Sequence, residues 1–360
     1  MTKLCATIFT MTVKENVPLS ELTSMQIGGT ARYVFTCENN EDIRYAMKFV
    51  RRENLAWFVL GGGSNVIANG DFDGVIILNR VKGFEQIDDV TYKIGAGEDW
   101  DKTVEKLCKL GLSGVECLSF VPGLVGAFPV QNVGAYGHDI SQVLSELTVY
   151  DINTDEFSVL SNAECEFGYR GSIFKSQTDR HLTICDITLR LSREQLQPPF
   201  YNSLQKYLDE NNITDYSPMS LRTAVTAIRN SKLPPVDKIP SAGSFFKNPI
   251  LNADLAREFL AKFPDAPHWT LSGDREKLSA GWLVDQCGLR GYRNYGFQVY
   301  PDNTLVITNT GGGTDKGLFQ FRAEIIEKVK EKFDITLEQE PEILENPAEI
   351  ATNTGIITGL

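Results

Sequence analysis

The chain has 360 residues, 42% of them hydrophobic, with 20 Phe and 12 Tyr; a single core stops growing near ~250–300 residues, so two or three lobes are expected. With 47 acidic against 35 basic side chains the formal charge is -12, and no run of Lys and Arg is dense enough to neutralise a row of phosphates, which sets nucleic acid aside as a partner. An anionic ligand must therefore be met by a few locally placed cations.

Met1 to Val13 holds a short apolar stretch, Leu4 to Phe9, broken by threonines and without a full signal-peptide core and cleavage site. No apolar run approaches the ~18 residues of a membrane span, so no membrane association is expected and the cytoplasm is the expected location. Asn39 and Asn40 can cap a helix in which Ile43, Ala46, Met47 and Val50 recur at helical spacing, and Ala56 to Leu60 then reads as a buried strand. Val75 to Leu78, Tyr92 to Gly95, Leu144 to Tyr150, Phe157 to Leu160 and Leu182 to Leu191 are further strands, with a helix from about Asp101 to Leu110 among them. This is α+β organisation, without regular strand-helix alternation.

Pro198 and Pro199 mark a change of character near Gln195, followed by helical patterns at Leu221 to Ile228 and Leu255 to Phe263. Leu318 to Phe333 reads as a long amphipathic helix, Ile335 to Leu344 as an extended segment, and the residues from Asn346 onward as a loosely held tail. Seven scattered cysteines, with no Cys-x-x-Cys pair, read as reduced and mostly buried thiols. Only His138, His181 and His268 offer imidazoles, and no metal site is expected.

Three glycine-rich stretches stand out. Phe58 to Leu60 runs directly into Gly61-Gly62-Gly63-Ser64-Asn65, where backbone amides can converge on a diphosphate; a plain hairpin turn is the alternative. The spacing is not that of a Rossmann turn, and Val66 to Phe72 does not open a long helix. Phe120 to Gly137 interleaves four glycines and two prolines with apolar residues, which describes a buried irregular backbone whose amides and carbonyls need partners. A flat cofactor with polar edges can provide them, with Gln131 and Asn132 as further donors, and a structural connection between lobes is the alternative. Asn309 to Thr314, ahead of the long helix, reads as a turn and is assigned no ligand.

The chain closely resembles the UDP-N-acetylenolpyruvoylglucosamine reductase family. The match runs through Leu22-Thr-Ser-Met-Gln-Ile-Gly-Gly29, Leu60-Gly-Gly-Gly-Ser-Asn-Val66, Val121-Pro-Gly123, Pro129-Val-Gln-Asn-Val-Gly-Ala-Tyr-Gly137, Cys165-Glu-Phe-Gly-Tyr-Arg170 and Ser172-Ile-Phe-Lys175. It continues through Ala242-Gly-Ser-Phe-Phe-Lys-Asn-Pro249, Ala280-Gly-Trp-Leu-Val-Asp-Gln-Cys287 and Glu340-Pro-Glu342. The resemblance implies a two-lobed FAD-binding region of the vanillyl-alcohol-oxidase/PCMH type followed by an α+β substrate-binding domain. The expected division is 1–80 for the first lobe, with the strand 335–345 returning to it, 81–195 for the second, 196–334 for the substrate domain and 346–360 for the tail.

The resemblance also implies NADPH as hydride donor, FAD as carrier, and an enolpyruvyl UDP-sugar as substrate, reduced to UDP-N-acetylmuramate in peptidoglycan precursor synthesis; no obligate protein partner is expected. Adding hydride to C3 of an enol ether puts negative charge on C2 and the adjoining carboxylate, so an acid and charge stabilisation are needed there. By resemblance Ser244 is the proton donor. Arg170 offers a permanent planar cation for a carboxylate, and Glu342 orients the enolpyruvyl group or shares a proton, with Glu338 and Glu340 as competitors. Cofactor contacts are expected from Gly61, Gly62, Gly63, Ser64, Asn65, Gly123, Gln131, Asn132, Gly134 and Tyr136. Substrate contacts are expected from Tyr169, Tyr201, Lys232, Lys247, Asn248 and Arg290, with Tyr201 suggesting the branch that carries a tyrosine-bearing loop over the substrate.

Ala127-Phe128 departs from the family pattern, because a bulky ring stands where small residues commonly lie against the cofactor. The rival readings are a flavin oxidase on the same FAD-binding architecture and a flavin- or UDP-sugar-binding protein without turnover. The set of Ser244, Arg170 and Glu342 argues against both.

Overall fold

The computed structural model describes residues 11–175, 181–235, 238–271 and 273–346. The apolar stretch Leu4 to Phe9, and the expected tail beyond Asn346, lie outside them.

The first sheet has the order Thr12–Pro18, Thr30–Cys37, Phe72–Asn79, Ala56–Leu60, antiparallel at its first pairing and parallel thereafter. Parallel neighbours need a crossover, and the helix Asn40–Glu53 supplies one. The Asn39 side chain caps it by accepting from the Asp42 amide. Alternation along the strands sends Phe35, Val75 and Ile77 to one face, against Ile43, Met47 and Val50 of the helix, and Val34 and Ile76 to the other, against Leu60 and Leu344. Tyr150 and Cys185 of the next sheet join the helix-side core, so the first two lobes share buried surface.

The second sheet is antiparallel, in the order Glu156–Ser161, Leu144–Asp151, Leu182–Arg190, Thr91–Gly95, Phe84–Gln86. It packs against the helix Trp100–Lys109, which buries Trp100, Val104, Leu107 and Cys108 along one stripe and is capped by Asp99. Two helices absorb the chain past residue 200. Asn202–Glu210 and Pro218–Asn230 pack on each other through Leu204, Leu208, Leu221 and Val225, and meet the second lobe at Cys117. Arg222 fixes that contact with a bidentate pair to Asp101 at 2.6 and 2.8 Å.

The third region holds a four-stranded sheet, Ser241–Ser244, Val306–Asn309, Phe297–Val299, Arg293–Asn294, and a small sheet of Ile250–Leu251, Arg275–Leu278 and His268–Leu271. Helix Asp315–Phe333 lays Leu318, Phe321, Ile325 and Val329 on this core, each fully buried and each contributing ~1.5–3 kcal/mol relative to exposure. The third glycine-rich stretch is a turn: Asn309 Oδ1 accepts from the amides of Gly311 and Gly313, and Thr314 caps the helix.

The segment expected to be extended over Ile335 to Leu344 is regular only at Glu342–Leu344, which lies parallel to Val66–Ala68. Just before it Gln339 bridges to Phe246 of the third region. Pro341 between them has no N–H to continue a ladder, so the chain crosses from one lobe to another there. Among the described residues no helix is long and apolar enough to cross a membrane, and no group of three or more His, Cys, Asp or Glu is placed to hold a metal. The described cysteines are all free, five of them buried and Cys287 half-buried.

Candidate active site

Strand Ala56–Leu60 delivers Gly61 to Asn65 into the wall of a cavity of about 330 Å³. Gly63 sits at φ +65°, where a Cβ would come within 2.1 Å of the Leu22 carbonyl oxygen, so the turn requires glycine. A Cβ on Gly62 would meet the Gly123 Cα at 3.1 Å, which shows how closely the two glycine-rich stretches approach. Side chains tie them together: Ser64 donates to the Pro122 carbonyl at 3.0 Å and Asn65 to Gln131 Oε1 at 2.8 Å. Arg80 donates to the Gly61 carbonyl, and burial lowers its pKa.

Gly123, Gln131 and Gly134 also line this cavity, together with apolar Val121, Val130 and Ile184. A glycine cradle continuous with an apolar slot suits a flat ring system carrying a diphosphate, so these residues fit FAD. Ala127 and Phe128, the departure from the family pattern, both line this cavity. The Phe128 ring is buried and stacks on Trp100 with centroids 3.9 Å apart, so one face belongs to the second-lobe core.

Ser244, Arg170 and Glu342 all line the same cavity. Ser244 ends strand Ser241–Ser244 behind Gly243, whose φ is +70°. Arg170 lies at φ +55° in a tight loop closed by mutual backbone bonds between Gly168 and Gly171. Its Nε stands 2.9 Å from Glu340 Oε1 in an ion pair without hydrogen-bond alignment, and its Nη1 donates to the Gly134 carbonyl at 3.3 Å. Glu342 is held by its amide, which donates to the Asn65 carbonyl. Glu340 and Glu342 both line the cavity, and Glu340 is the one paired with Arg170. Burial pushes the Glu340 carboxyl above its ordinary value, against the opposing pull of Arg170, Lys175 and Lys247. Lys175 enters the cavity too, and burial lowers its pKa despite Glu342 nearby.

A second cavity of about 350 Å³ shares Gly62, Ser64, Gly123, Arg229, Gly243 and Ser244 with the first, and adds Tyr136, Lys232 and Asn303. Tyr201 meets Tyr136 edge-on at 5.9 Å and stacks on Trp269 at 6.2 Å with a 19° interplanar angle. Register pairs Trp269 with Lys277, whose ammonium lies 5.3 Å from the Trp269 ring and 5.5 Å from that of Tyr169. Tyr169 accepts a hydrogen bond from Asn248, and burial raises its pKa.

Not every expected contact residue lines the two cavities. Arg290 lines neither cavity; it is about half exposed and bound to Asp285 in a bidentate pair, with a further bond to the Pro301 carbonyl. Asn132 is buried, and its amide is consumed by the protein, donating to the Gly168 carbonyl and accepting from the Ser141 amide. Tyr136 borders the second cavity and not the first. Lys247, paired with Glu338 at 3.0 Å, and Asn248, whose Oδ1 accepts from the Ala280 amide, stand behind the wall.

Arg80, Lys175, Arg229, Trp269, Lys277 and Asn303 were not singled out from the sequence. Lys175 lies inside the Ser172-to-Lys175 match and was readable there. Trp269 and Lys277 meet only through strand register, and Arg229 reaches the site only because its helix docks on the second lobe.

Residues 234–344 match the family model described as UDP-N-acetylenolpyruvoylglucosamine reductase, C-terminal domain, and residues 31–156 match that of an FAD binding domain. A UDP-N-acetylenolpyruvoylglucosamine reductase from Chromobacterium violaceum is 39% identical over 299 residues, covering 82% of this chain and 87% of its own. One from Salmonella choleraesuis is 37% identical over 323 residues, 89% of this chain and 93% of its own. The crystal structure of the UDP-N-acetylenolpyruvylglucosamine reductase of Thermus caldophilus shares the fold, with a TM-score of 0.65 over 93% of this chain and 100% of that one, at 24% identity.

Proposed function

We infer the chemistry from the premise that the chain belongs to the UDP-N-acetylenolpyruvoylglucosamine reductase family. It is an FAD-dependent oxidoreductase of peptidoglycan precursor synthesis. Bound in this cavity, FAD would supply a two-electron carrier between NADPH and C3 of the enolpyruvyl group. The supporting observation is the convergence of Ser244, Arg170 and Glu342 on the cavity that the Gly61–Asn65 turn opens.

The first two lobes hold the cofactor, through the amides of Gly61 to Asn65 and the backbone around Gly123 and Gly134. The region after residue 196 receives the UDP-sugar. Arg170, with Lys175 beside it, faces the substrate carboxylate and stabilises the negative charge that grows there and on C2. Ser244 Oγ donates the proton to C2; a serine hydroxyl is a weak acid, so the cations around it must stabilise the oxygen as the proton leaves. Glu342 orients the enolpyruvyl group. In the second cavity Lys232 and Arg229 offer charge to the diphosphate, and the Tyr201–Trp269 stack offers an aromatic face to the base.

Anaerobic reduction by NADPH followed by UDP-N-acetylglucosamine enolpyruvate tests the reading. Rapid return of the oxidised flavin spectrum with formation of UDP-N-acetylmuramate is expected. A flavin that is reduced, ignores this substrate and reoxidises readily in air would point to an oxidase instead.

A further inference from the structure

Arg170 has few constraints of its own. Besides Glu340 it makes a 3.3 Å bond to the Gly134 carbonyl and lies 5.6 Å from the Tyr169 ring centre, and its backbone occupies the left-handed region. Glu340 is the opposite case. Its amide donates to the Phe245 carbonyl, Gln339 before it bridges to Phe246 and accepts from Arg322, and Glu342 after it is bonded to Asn65. The backbone at Glu340 is thus fastened on one side to the strand end that carries Ser244 and on the other to the Gly61–Asn65 turn. Its side chain then reaches the loop of the second lobe that carries Arg170.

We propose that Glu340 is a positioning residue, whose carboxylate aims the Arg170 guanidinium at the substrate carboxylate and does so only when ionised. This deepens the reductase reading and rests on it for the identity of the substrate. The groups facing Glu340 are Arg170 and Tyr169 of the loop, Lys175 of the short turn after it, and Lys247 behind Ser244. On its own segment Glu338 is engaged with Lys247, and Glu342 shares the cavity wall. With three cations against it the carboxylate is held in place electrostatically, while burial makes protonation easier than for an exposed Glu. As pH falls through this raised pKa, Glu340 gains a proton, the charge on Arg170 loses its counterpart and the guanidinium drifts. A misplacement of ~1 Å lowers rate by about 100-fold. The acid limb of the second half-reaction is therefore assigned to Glu340.

The test compares Glu340→Gln and Glu340→Asp with the parent in anaerobic stopped flow, timing flavin reduction by NADPH and reoxidation by the enolpyruvyl substrate separately from pH 5 to 9. For Glu340→Gln, reoxidation should slow about 10- to 100-fold at neutral pH, the acid limb should flatten, and flavin reduction should stay within about twofold. Glu340→Asp, which keeps the charge on a shorter arm, should fall between and retain the limb. Reoxidation at the parent rate, or a slow variant that keeps the parent's acid limb, would overturn the proposal.

Melting temperatures of Glu340→Gln, Arg170→Met and the double variant provide a readout independent of turnover. Coupling predicts that the double falls no further than the worse single, whereas additive losses would refute the pairing. If the parent itself failed to reduce the enolpyruvyl substrate, the substrate reading would fall, and the melting cycle would still decide the pairing.

Discussion

Replacing Asp101 by Ala should loosen the joint that anchors the start of the second glycine-rich stretch. Asp101 receives two bonds from Arg222 at 2.6 and 2.8 Å and one from the Phe120 amide at 2.5 Å, at the start of the second glycine-rich stretch. Arg229, from the same helix as Arg222, donates to the Phe120 carbonyl. Removing the carboxylate strands the Arg222 guanidinium, whose side chain is only 10% exposed. Breaking a buried pair from one side costs ~3–5 kcal/mol, and since the Asp101 side chain is 31% exposed, water softens the loss to about 3 kcal/mol. At roughly 2 °C per kcal/mol for a chain of this size, the melting temperature should drop by about 6 °C.

Arg222→Met combined with Asp101→Leu should recover most of that loss, because an apolar pair leaves no charge unpaired. Burial opposes the Asp101 charge, but the bonds from Arg222 and Phe120 and the charges of Arg222 and Arg229 outweigh it and hold the carboxyl below its usual range. A depressed carboxyl contributes stability that is present above its unfolded value and lost as pH falls through its folded one. The gap between parent and Asp101→Ala should therefore narrow below about pH 4. Thermal melts of the holoprotein across pH, with flavin release followed by fluorescence, measure both effects. A loss under about 1 kcal/mol, or a double variant worse than the single, would refute the reasoning.

Four other outcomes are expected. Ser244→Ala should slow flavin reoxidation by the enolpyruvyl substrate by about 100-fold or more while leaving reduction by NADPH nearly intact, as seen by stopped flow. Gly63→Ala, which forces a left-handed alanine at ~1–2 kcal/mol and drives its Cβ against the Leu22 carbonyl, should yield protein without the visible flavin spectrum. Arg290→Ala should leave the KM for the UDP-sugar within about twofold, whereas Lys232→Ala should raise it about tenfold or more, the value of a lost charge-assisted bond. A thiol reagent at pH 8 should modify half-buried Cys287 before Cys37, Cys108 and Cys185, whose thiols burial pushes up to about 12, and denaturant should abolish the order.

The helix at Asn40–Glu53 was legible because its cap and its 3.6-residue apolar spacing are local, and the same holds for Trp100–Lys109 and Asp315–Phe333. Strand Thr12–Pro18 was not, since it is an exposed edge with one buried residue and shows no clear alternation. Helix Asn202–Glu210 was missed for a similar reason, having only Leu204 and Leu208 as buried anchors. The motifs carried Ser244, Arg170 and Glu342, because chemistry restricts residue type even where it leaves geometry unsaid.

What the sequence by itself determined is the set of chemical groups and the turns that demand glycine, because both are properties of a residue and its immediate neighbours. Which carboxylate meets Arg170, which cation faces a cavity, and that Arg290 pairs with Asp285 were decided only by the tertiary structure. Residues 170 and 340 come from different lobes, and no local rule states the distance between them. Strand pairing at Glu342–Leu344 and the bond from the Glu340 amide to the Phe245 carbonyl hold one end, and the bond from Asn132 to the Gly168 carbonyl holds the other, because backbone and side-chain pairing act between segments far apart in the chain.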